Sequence, residues 1–301
     1  MQNFINIAQF SQTDFLILLN QARQFLTFNT DNTAILENKF IANLFFEPST
    51  RTLCSFEIAA KRLGANVINL NIEHSSTKKG ETIVDTLLNL KAMGVQTFVI
   101  RHQAENLIDE IATAFDQKTA IINAGIGTQQ HPSQALLDML TIQQYKPDFS
   151  NLTVAIIGDI FHSRVAHSDI AALQLLNTKE IRLIAPKSLL PKKISAKNIV
   201  TFTEITNGLK NVDVIMTLRM QHERADANKM PSTEAFHQQY GLTMERLHLA
   251  KSDAIVMHPG PMNRGIEITD EVVASPQSVI LQQPMMGIAA RMAILQYAFA
   301  M

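Results

Sequence analysis

Two α/β domains in succession, each a mostly parallel sheet flanked by helices, are the fold this sequence predicts. Short apolar runs alternate with amphipathic helical runs throughout, the pattern of parallel strands joined by crossover helices. The length of 301 residues exceeds one core of about 150 residues. A polar segment, Tyr145-Lys146-Pro147-Asp148-Phe149-Ser150, interrupts the pattern near the middle and carries a proline, as a domain boundary would.

In the first half, residues 40–46, 67–70, 97–101 and 119–122 read as strands. The first strand ends at the turn Phe45-Phe46-Glu47-Pro48-Ser49-Thr50-Arg51-Thr52. Beyond it Phe56, Ile58, Ala59, Ala60 and Leu63 recur with helical spacing until Gly64 stops the helix. Ile83, Val84, Leu87, Leu90 and Lys91 form the next helical face, ending at Gly94. A helix over 132–144 then leads into the polar break. The second half restarts with strands at 153–157, 181–184, 212–216 and 254–257, and an apolar-rich segment, 288–299, reads as a terminal helix.

Composition narrows the function classes. With 46% hydrophobic and 18% charged residues, the chain reads as soluble and globular; its formal net charge of -1 gives no reason to expect nucleic acid or an anionic membrane as partner. Any cationic site is therefore a local pocket. No run approaches the length of a membrane span, and Met1 to Phe10 lack the basic and apolar regions of a signal peptide. The single Cys54 makes no internal disulfide, which fits a reducing cytoplasm, and on the helix after the first turn it reads as packing. The nine His residues are scattered, with no His-Glu-x-x-His or Cys pair, so no metal is expected. Gly158 alone is not a dinucleotide fingerprint, so no cofactor is expected either.

The most informative segment is the strand-to-helix turn at Ser49-Thr50-Arg51-Thr52. Free N–H groups and the positive end of the helix dipole point into such a turn and attract an anion. Arg51 adds a planar fork suited to phosphate oxygens. Ser and Thr also cap ordinary helices, but four further motifs favour the anion. They are Lys78-Lys79-Gly80-Glu81-Thr82, His131-Pro132-Ser133-Gln134, Arg219-Met220-Gln221, and His258-Pro259-Gly260-Pro261 continuing into Met262-Asn263-Arg264. Each follows a strand-like run or opens a helix, where open parallel sheets bind ligands, so the motifs are expected to converge on one cleft between two domains.

In this order and at these separations, the five motifs resemble the catalytic chains of aspartate carbamoyltransferases, in the aspartate/ornithine carbamoyltransferase superfamily. The resemblance runs from about Phe40 to the C-terminus. It implies transfer of the carbamoyl group from carbamoyl phosphate to the amine of L-aspartate, giving N-carbamoyl-L-aspartate and phosphate, in cytoplasmic pyrimidine biosynthesis. It also implies a carbamoyl phosphate-binding domain over 1–135, with a C-terminal helix, 285–301, packing back on it, and an aspartate-binding domain over 150–284.

The same resemblance distributes the roles. Arg51, Thr52, Arg101 and His131 are the expected catalytic residues. Ser49, Thr50, Arg51 and Thr52 hold the phosphate, and Arg101 meets phosphate or the carbonyl oxygen. His131 donates to that carbonyl oxygen, with Gln134, on the same helix face, also on the carbamoyl group. Gly260 and Pro261 offer backbone carbonyls to the carbamoyl N–H2 and the incoming amine. Arg164, Arg219 and Gln221 bind aspartate. Ser75 and Lys79 lie on a polar loop that reaches the neighbouring subunit's site in a homotrimer, Ser75 touching phosphate and Lys79 both ligands. Glu47 is a candidate to pair with Arg164 or Arg224 as the domains close. Two positions depart from the family pattern: Leu53, where Arg is usual, and Gly260, where many members carry a larger residue.

An ornithine carbamoyltransferase would need a carboxylate for the ornithine side chain and typically a Cys near the last motif, which here has none. A nicotinamide dehydrogenase would need the absent glycines. A non-catalytic scaffold for another pyrimidine enzyme is disfavoured by intact Arg51, Arg101, His131 and Arg219. Partnership with a regulatory chain or another pyrimidine enzyme stays open.

Overall fold

The computed structural model describes residues 1–27, 34–72, 79–116, 118–193, 196–221 and 231–300. The chain divides into two compact units, Met1–Leu140 with Pro284–Met301, and Thr141–Gln283. Among the described residues no helix is long and apolar enough to cross a membrane.

Unit 1 runs α1 (Gln12–Thr27), β1 (Phe40–Phe45), α2 (Thr50–Arg62), β2 (Asn66–Leu70), α3 (Ile83–Ala92), β3 (Thr97–His102), α4 (Leu107–Ala114) and β4 (Ala120–Ile126). The helix α5 (Pro132–Tyr145) begins in unit 1 and carries the chain into unit 2. The four strands form a wholly parallel sheet in the order β2-β1-β3-β4, with Ile41 opposite both Val67 and Thr97. Ala42, Leu44, Leu87, Phe98, Ile100 and Ile111 pack together on this sheet. Local signals set the helix ends: at α3 the Thr82 hydroxyl accepts from Asp85 N, Asp85 lies in the first turn, and Lys91 in the last. Gly94, at φ 102°, then takes the left-handed conformation that ends the helix.

Unit 2 contains β5 (Thr153–Ile157), α6 (Arg164–Leu175), β6 (Glu180–Ile184), β7 (Ile199–Phe202), α7 (Ile205–Gly208), β8 (Val214–Thr217), α8 (Thr233–Tyr240), α9 (Met244–Leu247), β9 (Ile255–Met257) and α10 (Asp270–Val273). Its sheet is parallel, in the order β7-β6-β5-β8-β9, with β5 buried along its whole length. The last helix, α11 (Gln283–Phe299), returns the chain to unit 1. There Gln2 N donates to Ala298 O at 3.0 Å, and the Phe4 and Tyr297 rings meet edge-on at 6.4 Å.

The expected α/β class and parallel sheets are present, with four differences. The fourth strand continues past 122 to Ile126 with a shift of register: Asn123 pairs with Ile100 and Ile126 with His102. In between, Asn123 Oδ1 accepts from Gly125 N at 2.8 Å and Ile126 N at 2.7 Å, satisfying two N–H groups at the irregularity. β7 was not expected; it is a half-exposed edge strand without a continuous apolar run. Cys54 is exposed rather than packed, because α2 buries the face formed by Thr52, Ser55, Phe56, Ala59 and Ala60. The terminal helix also starts earlier than residue 288, at Gln283.

Both sheets contain a point at which the chain reverses its direction of travel. In unit 1 it lies between β1 and β3, and in unit 2 between β5 and β8. Loops leaving the two strands at such a point diverge and open a crevice beyond their carboxyl ends.

Candidate active site

In unit 1 the crevice is framed by the turn after β1 and the end of β3. Ser49 precedes α2 with no side-chain capping bond, so its hydroxyl is not used as an ordinary cap. It is half-buried, whereas Thr50 and Arg51 are exposed and Thr52 is buried. The first turn of α2 contains no acidic residue and the last turn contains Lys61 and Arg62. The positive end of the dipole therefore faces the turn uncompensated by acid. Ser55 Oγ donates to Arg51 O at 2.6 Å, tying the first turn to the helix body.

Arg101 lies opposite Phe45 in the register of β1 and β3. Its Nη1 donates to Ala124 O at 3.4 Å, and its Nε lies 3.3 Å from Glu47 Oε2. Glu47 thus engages Arg101; Arg224 lies outside the described residues. Beside Arg101, burial pushes the His102 imidazole below its usual range, partly opposed by the charges of Glu47 and Glu110. Its Nδ1 accepts from Ala104 N at 2.9 Å, and Gly127 N donates to its carbonyl at 2.8 Å. The chain then reaches His131, immediately before α5, and Gln134 in the first turn. Both are buried, Gln134 N donates to His131 O at 2.9 Å, and Ser133 Oγ lies 3.3 Å from His131 Nδ1. Ser49, Thr50, Arg51, Thr52, Arg101, His131 and Gln134 therefore all lie at the carboxyl end of one sheet. Lys79 is exposed just before α3, and Ser75 lies outside the described residues.

In unit 2 the crevice is framed by the loops after β5 and β8. Arg164 opens α6 and is 3% exposed. A buried guanidinium in a first turn opposes the helix dipole, so helix formation alone gives no reason for it. Arg219 and Gln221 follow β8, with Arg219 Nη2 donating to Gln221 Oε1 at 3.4 Å. A third loop, after β9, carries Gly260 and Pro261. It is braced by His258, whose Nδ1 accepts from Gly260 N at 2.7 Å. That bond leaves the ring proton on Nε2, which donates to Glu267 Oε1 at 3.0 Å.

The sequence reading missed the residue that ties the first two loops together. Asp159, fully buried, accepts from His162 Nδ1 at 2.8 Å through Oδ1 and from Gln221 N at 3.1 Å through Oδ2. Gly158 beside it, at φ 128°, lets the backbone pass so closely that a Cβ would lie 2.3 Å from Leu218 O. A Gly-Asp pair at the end of a buried strand was the available signal. Among the described residues no group of three His, Cys, Asp or Glu side chains is placed to hold a metal.

Two sequence profiles match this chain. Residues 2–144 match the carbamoyl-P binding domain of aspartate/ornithine carbamoyltransferases, and residues 150–298 match their Asp/Orn binding domain. The chain belongs to the aspartate/ornithine carbamoyltransferase family. The match begins at residue 2, well before the Phe40 at which the motif resemblance starts. Among solved structures, the chain is similar to an aspartate transcarbamoylase from Trypanosoma cruzi in complex with N-(phosphonacetyl)-L-aspartic acid. The two share 33% identity with a TM-score of 0.90 over 99% of this chain and 96% of that one. The complex of the Trypanosoma cruzi enzyme with carbamoyl phosphate and aspartate matches at 32% identity and TM-score 0.89, over 99% and 97% of the chains. Its ligand-free form matches at 30% and 0.84, over 99% and 96%. For this member of the carbamoyltransferase family, the neighbours named are aspartate enzymes rather than ornithine enzymes.

Proposed function

We propose that this chain transfers the carbamoyl group of carbamoyl phosphate to the amine of L-aspartate, forming N-carbamoyl-L-aspartate and phosphate. The observation that carries the reading is that each unit carries an anion site, and that the two differ in chemistry. Unit 1 offers a helix N-terminus with hydroxyls and Arg51, and unit 2 offers Arg164 and Arg219 for a dicarboxylate. Ser49, Thr50, Arg51 and Thr52 hold the phosphate, and Arg101 neutralises charge on phosphate or carbonyl oxygen. Ser133 Oγ lies 3.3 Å from His131 Nδ1; in the tautomer in which that hydroxyl donates to Nδ1, the ring proton sits on Nε2, where it stabilises a developing oxyanion. Gln134 and the Gly260 and Pro261 carbonyls orient the carbamoyl nitrogen and the attacking amine. The amine lone pair forms the new C–N bond, the C–O bond to phosphate breaks, and phosphate leaves with that electron pair and accepts the amine proton.

The exposure of Lys79 is compatible with donation of its loop, Ser75 included, to a neighbouring subunit of a homotrimer. A head-to-tail contact that closes into a ring gives every site one such loop. The setting is cytoplasmic pyrimidine biosynthesis, without metal or cofactor, with partnership to a regulatory chain or another pyrimidine enzyme left open. Purified protein without added metal is expected to form N-carbamoyl-aspartate from aspartate and no citrulline from ornithine; preferential citrulline formation would overturn the substrate. For the assembly, an inactive Lys79→Ala chain mixed with an inactive His131→Ala chain should recover activity. No recovery despite proven subunit exchange would place each site within one chain.

A further inference from the structure

Asp138, in the second turn of α5, has no part in the reaction as described. It is fully buried, and Ala135, Leu136, Leu137 and Met139 around it are apolar and buried as well. A carboxylate in such surroundings is strongly destabilised unless charge and hydrogen bonds offset the loss of water. Gln134 Nε2 donates to Asp138 Oδ2 at 3.1 Å. The compensating charge is Arg291 on α11, itself buried and lowered to about 10 by desolvation, which the Asp138 charge opposes. Arg291 is held in turn by Gly287 O, 3.0 Å from Nη1, and by the Phe56 ring of α2, 5.1 Å from the guanidinium carbon.

An ionised carboxylate can only accept hydrogen bonds, whereas the two ends of a Gln amide differ: one donates and the other accepts. Asp138 therefore draws the nitrogen of Gln134 toward itself and turns Oε1 away. We propose that Asp138 is a positioning residue that fixes the Gln134 amide with its carbonyl oxygen toward the ligand, and so selects an acyl phosphate bearing N–H2 over one bearing a methyl group. The proposal rests on the reading that Gln134 contacts the carbamoyl group. The Arg291 charge favours the ionised, accept-only form of Asp138; a protonated Asp138 could donate, and the amide would be free to reverse.

Carbamoyl phosphate and acetyl phosphate test this, because they differ only by N–H2 against CH3 on the same carbonyl. Their dissociation constants are to be compared by calorimetry for wild type, Gln134→Ala, Asp138→Asn and the charge-balanced double variant Asp138→Asn/Arg291→Gln. The double variant covers the case in which Asp138→Asn, leaving Arg291 uncompensated, does not fold. In whichever Asp138 variant folds, carbamoyl phosphate should weaken about tenfold or more, the scale of one lost buried hydrogen bond, while acetyl phosphate moves less than about twofold. Equal weakening of both ligands would mean a purely structural role and would overturn the proposal, as would unchanged discrimination. Gln134→Ala separates the two levels. If it leaves the carbamoyl-to-acetyl ratio at the wild-type value, Gln134 does not read the N–H2 and the underlying assignment falls. If it lowers the ratio while the Asp138 variants do not, only the role of Asp138 falls.

Discussion

At the switch point of unit 1 the candidate anion-binding groups are hydroxyls and backbone N–H groups at the start of α2, with Thr50 and Arg51 exposed. At the switch point of unit 2 they are guanidinia, one of them the buried Arg164, and the loops are joined by the buried Asp159. The topology is alike: in each unit the first strand of the sheet sits between strands reached in opposite directions. The difference lies in how the site is held. A helix N-terminus is pre-aligned by the helix itself and needs few outside contacts. Side chains on two separate loops have no such frame, so Asp159 supplies one through His162 and the Gln221 backbone. A phosphate can be met by main chain, whereas two carboxylates at the ends of a flexible amino acid need long side chains and something to hold their loops.

This contrast can be broken most forcefully in unit 1. Arg51→Ala should lower kcat/KM by about two orders of magnitude, the scale of a charge-assisted bond lost at a reacting phosphate. Circular dichroism should show an intact fold, and activity within about threefold of wild type would sink the assignment. In unit 2, Arg219→Ala should raise the aspartate KM about thirtyfold, with carbamoyl phosphate binding by calorimetry unchanged. Loss of carbamoyl phosphate binding there would dissolve the division between the units. Asp159→Ala removes the tie rather than a ligand group, so a rise in aspartate KM of about tenfold is expected; an unchanged KM would mean that the loops hold their own shape. The smallest effect tests ordinary capping: Ser163 Oγ accepts from Ala166 N at 3.2 Å. Ser163→Ala should lower unfolding stability by about 1 kcal/mol in a denaturant titration, in contrast to Ser49, which makes no capping bond.

The parts of the candidate site that stand out in the sequence are those in which several unusual residues stand together, such as Ser49-Thr50-Arg51-Thr52 and His131-Pro132-Ser133-Gln134. The buried carboxylates were not legible. Asp159 looks like any acidic residue after a strand, and Asp138 like a polar position on a helix, because their partners Gln221 and Arg291 are far away in sequence. The strands with continuous apolar runs were legible too, since both faces of a parallel sheet are covered. β7 escaped notice because only one side of an edge strand is paired, so Ile199-Val200-Thr201-Phe202 needs no such run. Cys54 was misread because the amphipathic phase of α2 is carried by Thr and Ser as well as apolar residues, and counting the apolar ones alone blurs which side faces out.

The return of α11 to unit 1 bears on the order of events during synthesis. Unit 2 is continuous in sequence, whereas unit 1 lacks α11 until residues 284–301 have been made. With Arg291 set against Phe56 and Ala298 bonded to Gln2, unit 1 is begun before unit 2 and finished after it. A stalled or truncated chain therefore leaves its N-terminal half, not its C-terminal half, with an open apolar flank for a chaperone to cover.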